Sequence, residues 1–168
     1  MRARSLTRFG ERRDESLVSV WARFPISDGG ALTSRVLYRI AAVLILLFDV
    51  GHSAGYPWSD PKWGVDTGAM RSAHFQILGF TRTYWDFYVG FGLDVSVFLL
   101  LAAILAWQLG GLPAQTMRAL RMSAWALSLC FVGVTVLSWM YFFIIPIVFS
   151  GLITICLVSA TWLSTRAA

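Results

Sequence analysis

The sequence predicts an all-α protein: an integral membrane four-helix bundle with a short extracytoplasmic loop helix between spans 1 and 2. Three observations predict it. The chain contains four long apolar runs, and a span needs about 20 apolar residues to cross roughly 30 Å of hydrocarbon. Hydrophobic residues make up 57% of the sequence and charged residues only 14%, against about 25% charged in an average soluble domain. The cations gather at the ends of the runs, as the positive-inside bias demands.

Residues 1–33 read as a mobile basic arm and 34–168 as a four-span membrane domain. The arm carries Arg2, Arg4, Arg8, Arg12, Arg13 and Arg23. Its start is like the n-region of a signal peptide, but no apolar h-region follows closely and no small-residue cleavage site is evident. A basic arm also raises nucleic acid as a partner. Nothing else in the chain looks like a nucleic-acid module, so membrane lipid is the expected partner of these charges. Leu17, Val18, Val20, Trp21 and Phe24 fit a short helix lying on a membrane surface. Gly29 and Gly30 are expected to break it.

Span 1 is placed at about 34–55. Thr33 and Ser34 are available as caps, and Arg35 and Arg39 can snorkel to the membrane surface. Past the apolar run Ile40 to Phe48 comes Asp49-Val50-Gly51-His52-Ser53. Asp49 and His52 are three apart and share a helix face. The connection 56–82 holds Pro57, Pro61 and Gly64 as turn residues, with Trp58 and Trp63 as interface anchors. From Val65 to Leu78, the apolar Val65, Ala69, Met70, Ala73, Ile77 and Leu78 recur at near-helical spacing. They predict a loop helix ending at Gly79, which would carry Arg71 and His74.

Span 2 is placed at about 83–109, and Gly110, Gly111 and Pro113 form the turn after it. Spans 3 and 4, at about 118–141 and 146–163, make an antiparallel hairpin around Tyr141-Phe142-Phe143. Pro146 is tolerated in a first helical turn. Arg118, Arg121 and Arg166 then lie on the same side as the arm, which puts both termini in the cytoplasm. Cys130 and Cys156 lack CxxC spacing and read as small core residues.

Span 2 contains Asp94 inside its apolar run, and a carboxylate at that depth is costly in lipid. At about 1.5 Å per helical residue, His52 and Asp94 stand roughly 18–20 Å above the inner boundary, and Asp49 roughly 14 Å. The three form the expected core of an outward-facing polar pocket, with Arg71, His74, Asp86 and Tyr88 at its rim. Asp86, Gly90 and Asp94, spaced by four, share one stripe, and the glycines would let another helix approach. A carboxylate and an imidazole at one depth can exchange a proton, which suits acid–base work or proton coupling. The same residues can equally be glue between two spans.

His52, His74, Asp49 and Asp94 match no named metal motif. Haem would require His52 and His74 to face each other. There is no GxSxG, P-loop or HExxH. No cofactor or metal is expected. The leading reading is a protein that binds a hydrophobic or amphipathic small molecule. The alternatives are a non-catalytic accessory subunit of a membrane complex, and a proton-coupled transporter acting as a homodimer.

The stretch from Asp49 through Gly92, with Gly51-His52, Pro57, Met70 and RTYWDFYVGFGL from Arg82 to Leu93, resembles a group of small bacterial four-span membrane proteins to which no activity is assigned. The resemblance implies a bacterial inner-membrane location and adds no chemistry. In overall plan the chain is also similar to DoxX-type four-helix membrane proteins.

Overall fold

The computed structural model describes residues 28–55 and 64–166. Within them the chain runs α1 (Asp28–Gly55), α2 (Thr67–Ser72), β1 (His74–Ile77), β2 (Phe80–Thr83), α3 (Tyr84–Leu109), α4 (Ala114–Ala119), α5 (Arg121–Tyr141) and α6 (Ile144–Arg166). Helices α1, α3, α5 and α6 are each long and apolar enough to cross a membrane. The expected arm falls mostly on residues 1–27, outside the described residues.

The four long helices are not equivalent. α1 packs against both α3 and α6, and α6 packs against both α1 and α5. α1 and α6 therefore form the central pair, flanked by α3 and α5. Their contact faces mix small residues with a few large ones. α1 buries Ser34, Tyr38, Ala41, Ala42, Ile45 and Asp49, and α6 buries Ser150, Ile153, Leu157, Ala160, Thr161 and Ser164. α3 offers Leu99, Ala103, Ala106 and Leu109, and α5 offers Ala124, Ser128, Phe131 and Ser138. Small side chains let helix backbones approach closely, which suits association in a medium as apolar as Leu. Many bulky residues point away from the bundle: Phe98, Trp139, Ile144 and Ile155 are all more than half exposed. Exposed apolar surface on all four long helices is more than a monomeric soluble domain usually shows.

Polar side chains stitch the bundle. The Ser128 hydroxyl donates to the Ala124 carbonyl at 2.9 Å. With its one proton committed, it accepts from Thr161 (2.9 Å), which in turn accepts from the Tyr38 hydroxyl (2.8 Å). This chain ties α1, α6 and α5 through fully buried atoms. Higher on the α5–α6 interface, Thr135 donates to the Phe131 carbonyl and takes a bond from Thr154 at 2.9 Å. Phe48 of α1 stacks on Phe149 of α6, with ring centroids 5.6 Å apart.

Three elements differ from the sequence reading. α1 starts at Asp28, ahead of the expected start near Ser34. Gly29 does not break it, and Thr33 is no cap: its hydroxyl donates back to the Gly29 carbonyl at 2.7 Å, a bond made inside a helix. A glycine costs about 1 kcal/mol within a helix, and packing around Ser34 and Tyr38 outweighs that.

The loop helix is shorter than the apolar spacing implied. It covers only Thr67–Ser72, capped by Asp66, whose carboxylate accepts from the Ala69 amide at 3.0 Å. His74–Ile77 and Phe80–Thr83 instead pair as an antiparallel hairpin. Leu78 and Gly79 both have positive φ (51° and 84°), the backbone of the two-residue turn whose twist matches paired strands. Phe75, Ile77, Phe80, Thr81 and Thr83 are good strand formers, and a turn residue outweighed the helical period.

Span 3 is preceded by a separate short helix, α4, and begins at Arg121 after a break at Leu120 (φ −96°, ψ 10°). Cys130, expected in the core, is exposed on α5, while Cys156 is half-buried. Both faces of an apolar helix look alike in sequence, so run position did not reveal which way the thiol pointed.

The start of α1, the end of α3, α4 and the end of α6 meet at one end of the bundle. Ser34, Leu109, Leu112, Ala114, Met117 and Ser164 surround a small crevice there. Arg35, Arg39, Arg118, Arg121 and Arg166 therefore share an end, and the α2–hairpin unit lies at the other.

Candidate functional site

The polar cluster forms where α1 meets α3, at the hairpin end. Asp49 and Ser53 are one turn apart on α1, and Asp49 continues the buried stripe of Tyr38, Ala42 and Ile45. The Ser53 hydroxyl donates to the Asp49 carboxylate at 3.3 Å and lies 2.8 Å from the Ser96 hydroxyl of α3. The Ser96 hydroxyl also reaches the Gly92 carbonyl of its own helix at 3.5 Å, so each serine has an acceptor on its own helix and either can donate across the interface. His52 Nε2 donates to the Gly92 carbonyl at 3.1 Å. The imidazole thus binds backbone on the neighbouring span.

Asp94 is not part of this cluster. The depth count put it level with His52, and the Ser53–Ser96 pairing agrees with that height. Height alone does not fix direction. Asp94 lies two residues from both Gly92 and Ser96, about 200° round the helix. Those two face α1, so Asp94 faces away. It is exposed, as are Gly90, Val97, Phe98 and Leu101 on the same side of α3. No described residue hydrogen-bonds or ion-pairs its carboxylate. Gly90 likewise faces open space, with nothing within 4 Å of where a Cβ would stand.

The four expected rim residues have local roles. Asp86 accepts from the Thr83 amide at 2.8 Å while the Thr83 hydroxyl accepts from the Asp86 amide at 3.1 Å. This reciprocal capping box starts α3. The Arg71 guanidinium lies 3.7 Å from the Trp85 ring centroid, a cation–π contact. His74 Nδ1 donates to the Ser72 carbonyl at 2.7 Å and closes the turn from α2 into β1. Tyr88 packs on Trp85, with centroids 5.3 Å apart. The aromatic start of α3 serves the hairpin too: Phe75 sits against Tyr84 at 5.2 Å and Phe87 at 5.3 Å.

Sequence reasoning missed Ser53 and Ser96, the pair that joins the spans, and the Tyr38–Thr161–Ser128 chain. A signal was present: Ser150, Thr154, Thr161 and Ser164 recur on one face of α6, and Ser96, Ala103 and Ala106 on one face of α3. In an apolar span, small and hydroxylated positions mark the contact face.

Among the described residues no group of His, Cys, Asp and Glu is arranged to hold a metal ion. No family model matches the chain, and no similar curated protein or solved structure was found.

Proposed function

We propose that this chain is a non-catalytic accessory subunit of a membrane assembly, which offers the Asp94 face of α3 to a partner span. Its four long helices cross the bilayer, both termini lie in the cytoplasm, and the membrane is the bacterial inner membrane of the group it resembles.

One observation carries this reading: a carboxylate exposed on the outer face of an apolar helix. Ionisable groups at such depth turn inward or pair, because lipid solvates them poorly. Asp94 turns outward and has no partner among the described residues, and we assign its partner to a facing span of another chain. Charge complementarity names the chemistry, a Lys or Arg on the facing span. Open space at Gly90, one turn away, lets a helix backbone come close. A second copy of this chain would set Asp94 against Asp94, which disfavours the homodimer.

The test is the mass of the assembly extracted from native membranes in mild detergent. Asp94→Leu is expected to reduce it to the subunit alone, and Asp94→Glu to preserve it. A wild type that already runs as an isolated subunit contradicts the proposal, as does an unchanged mass in Asp94→Leu.

A second reading has its own support. Asp49 is 9% exposed, and Ser53 is the described side chain that hydrogen-bonds it. With His52 it offers a polar floor on which an amphipathic small molecule could sit. In that case Asp49→Asn, rather than Asp94→Leu, removes a co-purifying molecule detectable by native mass spectrometry.

A further inference from the structure

A shallow concave surface lies at the opposite end from the polar cluster. A groove of about 610 Å³ runs along the outer side of α1 where α1 meets the turn after α3, bordered by Arg35, Val36, Arg39, Ile40, Val43 and Gly111. The volume is in the range of small-molecule sites. Its chemistry is divided by depth. Arg35 and Arg39 are one turn apart and stand at the mouth. Val36, Ile40 and Val43 continue toward the middle of the span, about 12 Å from Arg35 to Val43.

We propose that this groove holds one anionic glycerophospholipid, with its phosphate between Arg35 and Arg39 and an acyl chain along Val36, Ile40 and Val43. The proposal rests on the reading that the long helices cross a bilayer. Two guanidinium groups favour a net-negative phosphate over a zwitterionic headgroup, and among the described residues no carboxylate lines the groove. The planar fork of Arg suits phosphate oxygens.

The site is also braced. The Arg39 guanidinium lies 3.9 Å from the Trp107 ring centroid, which fixes its direction. A Cβ on Gly110 would stand 3.1 Å from the Arg35 carbonyl and 3.3 Å from Arg39 Cγ, and one on Gly111 would stand 3.6 Å from Arg39 Nη2. The glycine pair thus lets α3 end directly against the arginine turn and leaves room for the guanidinium. A basic pocket at a helix end, with an apolar trough below it, is the form that binds anionic headgroups.

The test is native mass spectrometry after reconstitution into nanodiscs of equal phosphatidylglycerol and phosphatidylcholine. Three proteins are compared: wild type, Arg35→Gln/Arg39→Gln, and Arg118→Gln/Arg121→Gln. The last removes the same charge from the same end but outside the groove. Wild type and the outer pair are expected to retain phosphatidylglycerol selectively, and the groove pair to retain it on the order of tenfold less. Equal retention of the two lipids by wild type overturns the proposal. So does an equal loss in both variant pairs, which would mean general surface charge. Should the groove pair fail to fold, Val43→Trp fills the trough and keeps both arginines; it is expected to lose the lipid, and undiminished retention overturns the site. Failure of wild type to enter nanodiscs at all would instead overturn the membrane reading.

Discussion

The bundle contains two polar seams, and they are built differently. The seam through α1, α6 and α5 uses only hydroxyls: Tyr38, Thr161 and Ser128, with Thr135 and Thr154 above them. Its members at Tyr38, Thr161 and Ser128 are wholly buried. The seam between α1 and α3 adds ionisable groups, Asp49 and His52, at the hairpin end. Neutral hydroxyls are cheap to bury once each proton has an acceptor. Charged groups are not, and a structure needing only glue has no cause to use them. The first seam therefore reads as architecture. The second holds α1 and α3 in register through Ser53–Ser96 and His52–Gly92 and sets ionisable groups beside that contact.

The largest expected effect comes from forcing the end of α3 away from α1, the helix that both seams share. Gly110→Leu places a side chain against the Arg35 carbonyl and Tyr38 Cβ, 3.1 and 3.2 Å from its Cβ. It should destabilise by about 1–3 kcal/mol, the usual range for overpacking, read as unfolding in detergent. Next is Thr161→Val, which leaves the buried Tyr38 hydroxyl and Ser128 without their shared partner. A loss of about 1–2 kcal/mol is expected, and Tyr38→Phe in the same background should add less than it does alone. Ser53→Ala in the second seam should cost about 0.6 kcal/mol, the average for an interhelical bond in a membrane. Its exposed rim lets water or lipid headgroups replace the bond. An effect as large as that of Thr161→Val would erase the distinction between the seams. Smallest of all is Asp94→Leu, expected to leave the isolated subunit's stability unchanged.

The four long helices were legible because length and apolarity are enough to mark a helix able to cross a bilayer. Their order and antiparallel run followed from the short turns at Gly110-Gly111 and Phe142. The hairpin was not legible: Val65, Ala69, Met70 and Ala73 do have helical spacing, but the two positive-φ positions at Leu78 and Gly79 belong to a strand turn. Within the site, sequence fixed depth and not direction. Counting residues set Asp94 level with His52 correctly. A soluble helix would have shown its buried side by its apolar stripe, but α3 is apolar all round. Only its small residues, Gly92, Ser96, Ala103 and Ala106, distinguish the face toward α1. Those same residues place Asp94 on the other side. Arg71, Asp86 and His74 could not be told from rim ligands by residue type, since capping, stacking and turn closure use the same groups.

Whether Asp94 faces outward while Ser96 faces α1 is the point on which the account turns. Spin labels at Asp94→Cys and at Ser96→Cys, each in the purified subunit in lipid nanodiscs, measure it by their collision rates with oxygen, which concentrates in the bilayer. The account predicts a mobile label with frequent oxygen collisions at position 94 and an immobilised, shielded label at 96. A shielded label at 94 with an accessible one at 96 would place the carboxylate inside the bundle and contradict it.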